Sequence, residues 1–93
     1  MSEKDLTITY EDDCRRVLLA GRLDSVTAKA FSDEVPTRCS GEVLVDLSGL
    51  RYISSAGIRA LVLVDRTVRV RLTGATGLVA EVLEISGMDK VLG

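Results

Sequence analysis

The sequence predicts a small α/β domain, a mixed sheet of about four strands packed with helices. Three observations lead there. Apolar runs of strand length recur at 6–10, 15–20, 43–47 and 68–72. Segments with helical spacing follow all but the first, so the later strands should be parallel and joined by right-handed crossovers. With 93 residues the chain has room for one core and not two, and 1–93 is read as a single domain.

Leu6, Ile8 and Tyr10 alternate with Thr7 and Thr9, the period of a half-buried strand. Glu11-Asp12-Asp13 reads as a solvated hairpin turn, because consecutive turn carboxylates seldom converge on one cation. Arg15 to Ala20 forms the second strand, which Gly21 should end. Asp24 or Ser25 can cap a helix over Val26–Val35, with Val26, Ala30 and Phe31 near helical spacing. Pro36 should stop that helix, since a residue before proline is pushed out of the α region.

Val43 to Leu47 is almost continuously apolar, as in a strand covered on both faces, and a short loop should follow it. Ser54-Ser55 then opens an apolar helix through Ile58 and Leu61, although its valines leave a strand open over 60–64. Val68, Val70 and Leu72 alternate with Arg69 and Arg71, a strand with one wet face. Leu78, Val82 and Ile85 stand at i, i+4 and i+7 and predict the buried stripe of a last helix. Gly87 should terminate that helix in the left-handed conformation.

Composition excludes several classes of function. Hydrophobic residues make up 46% and charged residues 28%, a globular balance. Apolar runs break well before the ~20 residues of a membrane span, so no membrane insertion is expected. The polar opening Met-Ser-Glu-Lys-Asp is no secretory signal, and a cytoplasmic location is the expectation. A net charge of −2, scattered basic residues and 3% aromatics argue against nucleic acid as a partner. The two cysteines, Cys14 and Cys39, should be free thiols, too few for a structural zinc. The chain has no histidine, which removes Ser-His-Asp and Cys-His catalysis. No catalytic residue, metal or cofactor is expected.

One place carries chemistry. Ser54 and Ser55 sit at a strand-to-helix turn, at the carboxyl end of the most apolar strand, where open α/β sheets gather their sites. Open N–H groups and the positive helix end favour an anion there, by about 0.3–1 kcal/mol when exposed. A serine at that position is equally a preferred N-cap, worth about 1 kcal/mol over alanine. The residues alone leave both readings open. A nucleophile elbow would need Gly-x-Ser-x-Gly and a base, and both are missing.

Three segments in order resemble the STAS domain family, and within it the bacterial anti-sigma factor antagonists. They are Gly21-Arg22-Leu23-Asp24-Ser25-Val26-Thr27-Ala28, then Val45-Asp46-Leu47-Ser48-Gly49-Leu50 with Ile53-Ser54-Ser55-Ala56-Gly57-Ile58, and last Leu83-Glu84-Ile85-Ser86-Gly87-Met88. The resemblance implies a STAS-like fold and a non-enzymatic, cytoplasmic regulator of transcription. Its unphosphorylated form would bind an anti-sigma factor that is also a serine kinase, and so release the target. Phosphorylation of the loop serine would break that complex, and a PP2C-type phosphatase would restore it.

The family's commonest loop is Asp-Ser-x-Gly, phosphorylated on the serine. Aligning on Gly57 makes Ser55 the implied phosphorylation site, with Ser54 as the alternative, standing where the aspartate is usual. Asp24, Ser54, Ser55, Ala56, Gly57 and Arg59 become the implied partner-binding positions. The interval from Gly57 to Val68 is shorter than in most of the family, so contacts on that side should differ. A STAS module in another pathway (secretion control, a sensory complex or lipid transport) is the competing expectation.

Overall fold

In the computed structural model, which describes residues 5–88, the elements run β1 (Leu6–Glu11), β2 (Arg16–Leu23), α1 (Ala28–Arg38), β3 (Glu42–Ile53), α2 (Ser55–Asp65), β4 (Arg69–Thr73) and α3 (Gly77–Ser86). The four strands form one sheet in the order β1-β2-β3-β4. β1 and β2 are antiparallel, while β2–β3 and β3–β4 are parallel. This is the mixed α/β sheet that the spacing predicts.

Side-chain alternation places the core. Val17, Val43, Val45 and Val70 are buried, and the register pairs Val17 with Val45 and Val43 with Val70. Paired residues project to the same side, so these belong to one face. Arg16, Leu44 and Arg71 share a rung of the other face, where Leu44 is only half-buried. The expectation of cover on both faces of β3 therefore fails over its first half. Right-handed crossovers put α1 and α2 on the same side of the sheet, and the two helices pack on each other.

Local signals were overruled in four places. β2 does not end at Gly21 but passes through it to Leu23, with φ +103° at the glycine. A Cβ there would stand 2.2 Å from the Asp5 carbonyl oxygen, so the strand tolerates no side chain at that point. The helix expected over 26–35 begins instead at Ala28 and runs through Pro36 to Arg38. Phe31, Val35 and Cys39 are buried one turn apart, and that anchoring outweighs the one hydrogen bond proline forgoes. Val26, expected to open that helix, lies ahead of it and is 76% exposed.

The loop expected after Leu47 is strand. β3 runs on to Ile53 and keeps pairing with β2 through two register shifts, between Leu18 and Ala20 and between Gly21 and Arg22. The fourth departure is the face of α3. Val79 and Leu83 are buried, while Leu78 is 50% and Ile85 is 85% exposed. Residues 60–64 are helical, Gly87 adopts φ +80° as the terminator, and Glu11, Asp12 and Asp13 lie exposed at the hairpin. Both cysteines are free, but they are not far apart in space. Cys14 donates to the Arg38 carbonyl at 3.4 Å, and burial first, then the Cys14 thiol, pushes the Cys39 thiol up to about 12.

Candidate functional site

The two serines do different things. Ser54 is the N-cap of α2, in extended backbone with φ −106° and ψ 177°. Its Oγ accepts a hydrogen bond from the Gly57 amide at 3.3 Å, and its own amide donates to the Leu23 carbonyl at 3.0 Å. Ser55 is the first helical residue, exposed, and among the described residues its hydroxyl makes no hydrogen bond. The amides of Ser55 and Ala56 likewise meet no acceptor among the described residues. These are the open donors of a helix N-terminus, and they give the Ser55 side a positive potential.

Gly57 lets α2 come this close to the sheet. A Cβ on it would lie 2.4 Å from the Leu23 carbonyl oxygen and 2.9 Å from Ile53 Cγ1. The ends of β2 and β3 thus receive the first turn of α2 without a side chain between them. Arg59 is exposed one turn after Ser55, on the same side of the helix.

The Asp24 turn follows directly from Leu23. Asp24 Oδ1 accepts from the amides of Val26 at 3.0 Å and Thr27 at 3.2 Å. The Asp24 amide donates to Thr27 Oγ1, and that hydroxyl donates to the Arg22 carbonyl. Arg22 Nε reaches Asp24 Oδ2 at 3.2 Å while its guanidinium lies over the Tyr52 ring, 4.4 Å from the centroid. Burial would raise the Asp24 pKa, but the Thr27 and Val26 amides with the Arg22 and Thr27 side chains outweigh it and hold the carboxyl below its usual range. Asp24 therefore orders the turn ahead of α1 rather than capping the helix itself, whose N-cap position is Thr27.

Leu23 gathers the expected residues. Ser54 bonds its carbonyl, Gly57 packs against it, and Asp24 follows it in the chain. Arg22, Tyr52 and the exposed Val26 adjoin the same region and were not singled out in the sequence. Arg22 stood inside the first motif, but only the β2–β3 register, which pairs it with Tyr52, reveals its stacking partner. Asp46, of the central motif, lies on β3, buried. It accepts from the Ser48 amide at 2.9 Å and pairs with Arg16, a link between β2 and β3. Among the described residues no cluster of acidic or cysteine side chains could hold a metal.

The family model described as Mlab, STAS domain matches residues 6–93. The chain belongs to the STAS domain family. Two solved structures share the STAS fold. The unphosphorylated anti-sigma factor antagonist SpoIIAA superposes with a TM-score of 0.68 at 13% identity, over 91% of this chain and 83% of that one. An anti-sigma factor antagonist from Mycobacterium paratuberculosis gives a TM-score of 0.66 at 22% identity, over 99% of this chain and 87% of that one. The sequence has no significant match among curated proteins. No helix among the described residues is long and apolar enough to cross a membrane.

Proposed function

We propose that this STAS domain is a phospho-switched binding module, an anti-sigma factor antagonist without catalytic activity of its own. Its unphosphorylated form binds an anti-sigma factor that is also a serine kinase, and so releases that factor's target. Phosphorylation of Ser55 switches binding off, and a PP2C-type phosphatase reverses it. The partner surface comprises Asp24, Ser54, Ser55, Ala56, Gly57 and Arg59, and the protein works in the bacterial cytoplasm.

The observation that carries this reading is the division of labour between the serines. Ser54 Oγ is occupied as the cap, while Ser55 offers an exposed hydroxyl with no bond to break. A phosphate on Ser55 adds about −1.5 to −2 charges and three acceptor oxygens beside open amides, a place the fold tolerates. A partner packed on the same turn would have to desolvate that dianion, so binding is lost. Likeness to two antagonist structures supports the assignment of the class.

The test is a binding isotherm with the kinase recovered from the native host. Ser55→Ala should bind and resist phosphorylation, and Ser55→Asp should fail to bind. Full phosphorylation of Ser55→Ala would refute the site.

A second reading keeps the binding surface and changes the pathway to secretion control, a sensory complex or lipid transport. Two observations favour it. The matching family model carries the name Mlab, and Ser54 stands where an aspartate is usual in antagonists. Recovery of a transport ATPase, rather than a small kinase, in a pull-down would select it.

A further inference from the structure

Cys14 and Cys39 are the chain's two cysteines, far apart in sequence and used by nothing in the serine turn. The hairpin that joins β1 to β2 brings the first to the second. Asp12, Asp13 and Cys14 take φ of 53°, 54° and 72° in succession, and the Arg15 amide closes the turn on the Asp12 carbonyl at 3.1 Å. Left-handed backbone is unfavourable at each of these three non-glycine residues, so contacts around the turn must hold it. One of them is the Cys14 thiol, which donates to the Arg38 carbonyl at 3.4 Å, in the peptide group that leads into Cys39. The Cys39 thiol lies within hydrogen-bonding reach of the Cys14 thiol.

Both sides of that meeting are pinned. The Arg38 guanidinium lies over the Tyr10 ring, 4.7 Å from the centroid, and the Tyr10 hydroxyl donates to Glu34 at 2.9 Å. Two contacts thus tie the last turns of α1 to the hairpin. The Arg15 carbonyl takes the Leu44 amide at 2.8 Å, and the Cys39 amide returns to the Val35 carbonyl at 2.8 Å. Cys14 is half-buried and open to a small solute, whereas Cys39 is only 5% exposed.

We propose that Cys14 and Cys39 form a reversible intramolecular disulfide, made by exchange with an oxidised low-molecular-weight disulfide of the glutathione type. Cys14, the accessible sulfur, attacks first as its thiolate, forming a mixed disulfide and releasing one small thiol. The Cys39 thiolate then attacks the Cys14 sulfur, and the second small thiol leaves. Two protein thiols and one small disulfide become one protein disulfide and two small thiols, which carry away the electron pair and both protons. Burial first, then the Cys14 thiol, pushes the Cys39 thiol up to about 12, so closure is the slower step. In a reducing compartment the pair rests as thiols and bridges when the small disulfide accumulates. The bridge locks the hairpin to the end of α1, at the opposite end of β2 from Leu23 and the serine turn. It stabilises the fold without covering the partner surface and does not depend on the phosphorylation reading.

Incubation of the purified full chain with glutathione disulfide, followed by intact mass, thiol titration and thermal melting, tests the proposal. The product should be a monomer that has lost two hydrogens and both titratable thiols. It should melt roughly 10 °C higher, a gain that dithiothreitol reverses. Cys39→Ser should stop at one glutathione adduct on Cys14, and Cys14→Ser should form no bridge and gain no stability. If Cys39→Ser does not fold, Cys14→Ser and a peptide map of the unaltered chain's product decide. Two persistent free thiols, a lasting adduct on Cys14 of the unaltered chain, disulfide-linked pairs of chains, or a bridge that does not raise the melting temperature overturns the proposal.

Discussion

The Leu23 carbonyl accepts the Ser54 amide at 3.0 Å, and Gly57 packs so close to the same oxygen that a Cβ would stand 2.4 Å away. One peptide group at the end of β2 thus fixes the first turn of α2. Ser54 is thereby committed to structure while its neighbour Ser55 is left exposed.

That commitment predicts an asymmetry in stability. Ser54→Ala removes the acceptor for the Gly57 amide and should cost about 1 kcal/mol. For a domain of this size that lowers the melting temperature by about 4–8 °C. Ser55→Ala should leave it within a degree or two. Paired thermal melts by circular dichroism check this, and equal losses would contradict the division between the serines.

Gly57→Ala forces the new methyl against the Leu23 carbonyl and Ile53, so α2 must shift or the strand end must move. Overpacking of this kind costs about 1–3 kcal/mol. Urea unfolding should show that loss, with partner binding weakened because the whole serine turn is displaced.

Two carboxylates set the response to acid. Asp46 is held below the usual range by the Ser48 amide and hydroxyl, with Arg16 adding to them against burial. Asp24 is held low as well, its hydrogen bonds outweighing burial. A depressed folded-state pKa stabilises the native state above the unfolded value of about 3.9, and that contribution is lost as pH falls through the folded value. Melting temperature should stay level above about pH 5 and drop below about pH 4. Asp46→Asn should melt lower at neutral pH and lose part of the acid-induced drop, which a pH series of thermal scans reads directly.

The third helix supplies a test of packing. Leu83 is buried and Ile85 is 85% exposed. Leu83→Ala should cost about 2–5 kcal/mol, whereas Ile85→Ala should stay within about 0.5 kcal/mol. Denaturant titration of the two variants distinguishes this face from the opposite one.

That helix also marks a limit of reading from sequence. Leu78, Val82 and Ile85 make an apolar stripe, but Val79 and Leu83 make another beside it, and periodicity alone cannot choose between adjacent stripes. The fold class was legible because strand-length and helix-length patterns alternate, which topology converts into parallel pairs. Gly21 and Pro36 misled for a shared reason. Each is a local signal for an end, and each is overruled by contacts distant in sequence: pairing with Leu50 at Gly21, and the burial of Val35 and Cys39 around Pro36.

The candidate site was legible as a place before it was legible as a mechanism. A hydroxyl pair ahead of an apolar helix announces a cap or an acceptor, and residue type cannot say which serine does which. Only the hydrogen bond from the Gly57 amide to Ser54 Oγ separates them. Arg22 stacked on Tyr52 was not legible because that pairing depends on a register that shifts where β3 carries an extra residue between Leu50 and Tyr52.

The central claim is that Ser55 is the switch. The most direct measurement is phosphosite mapping by mass spectrometry on the protein recovered from its native host, with the partner-bound and unbound pools analysed separately. The account predicts phosphate on Ser55 in the unbound pool and none in the bound pool. Phosphate on Ser54, or Ser55 phosphate in the partner-bound pool, would contradict it.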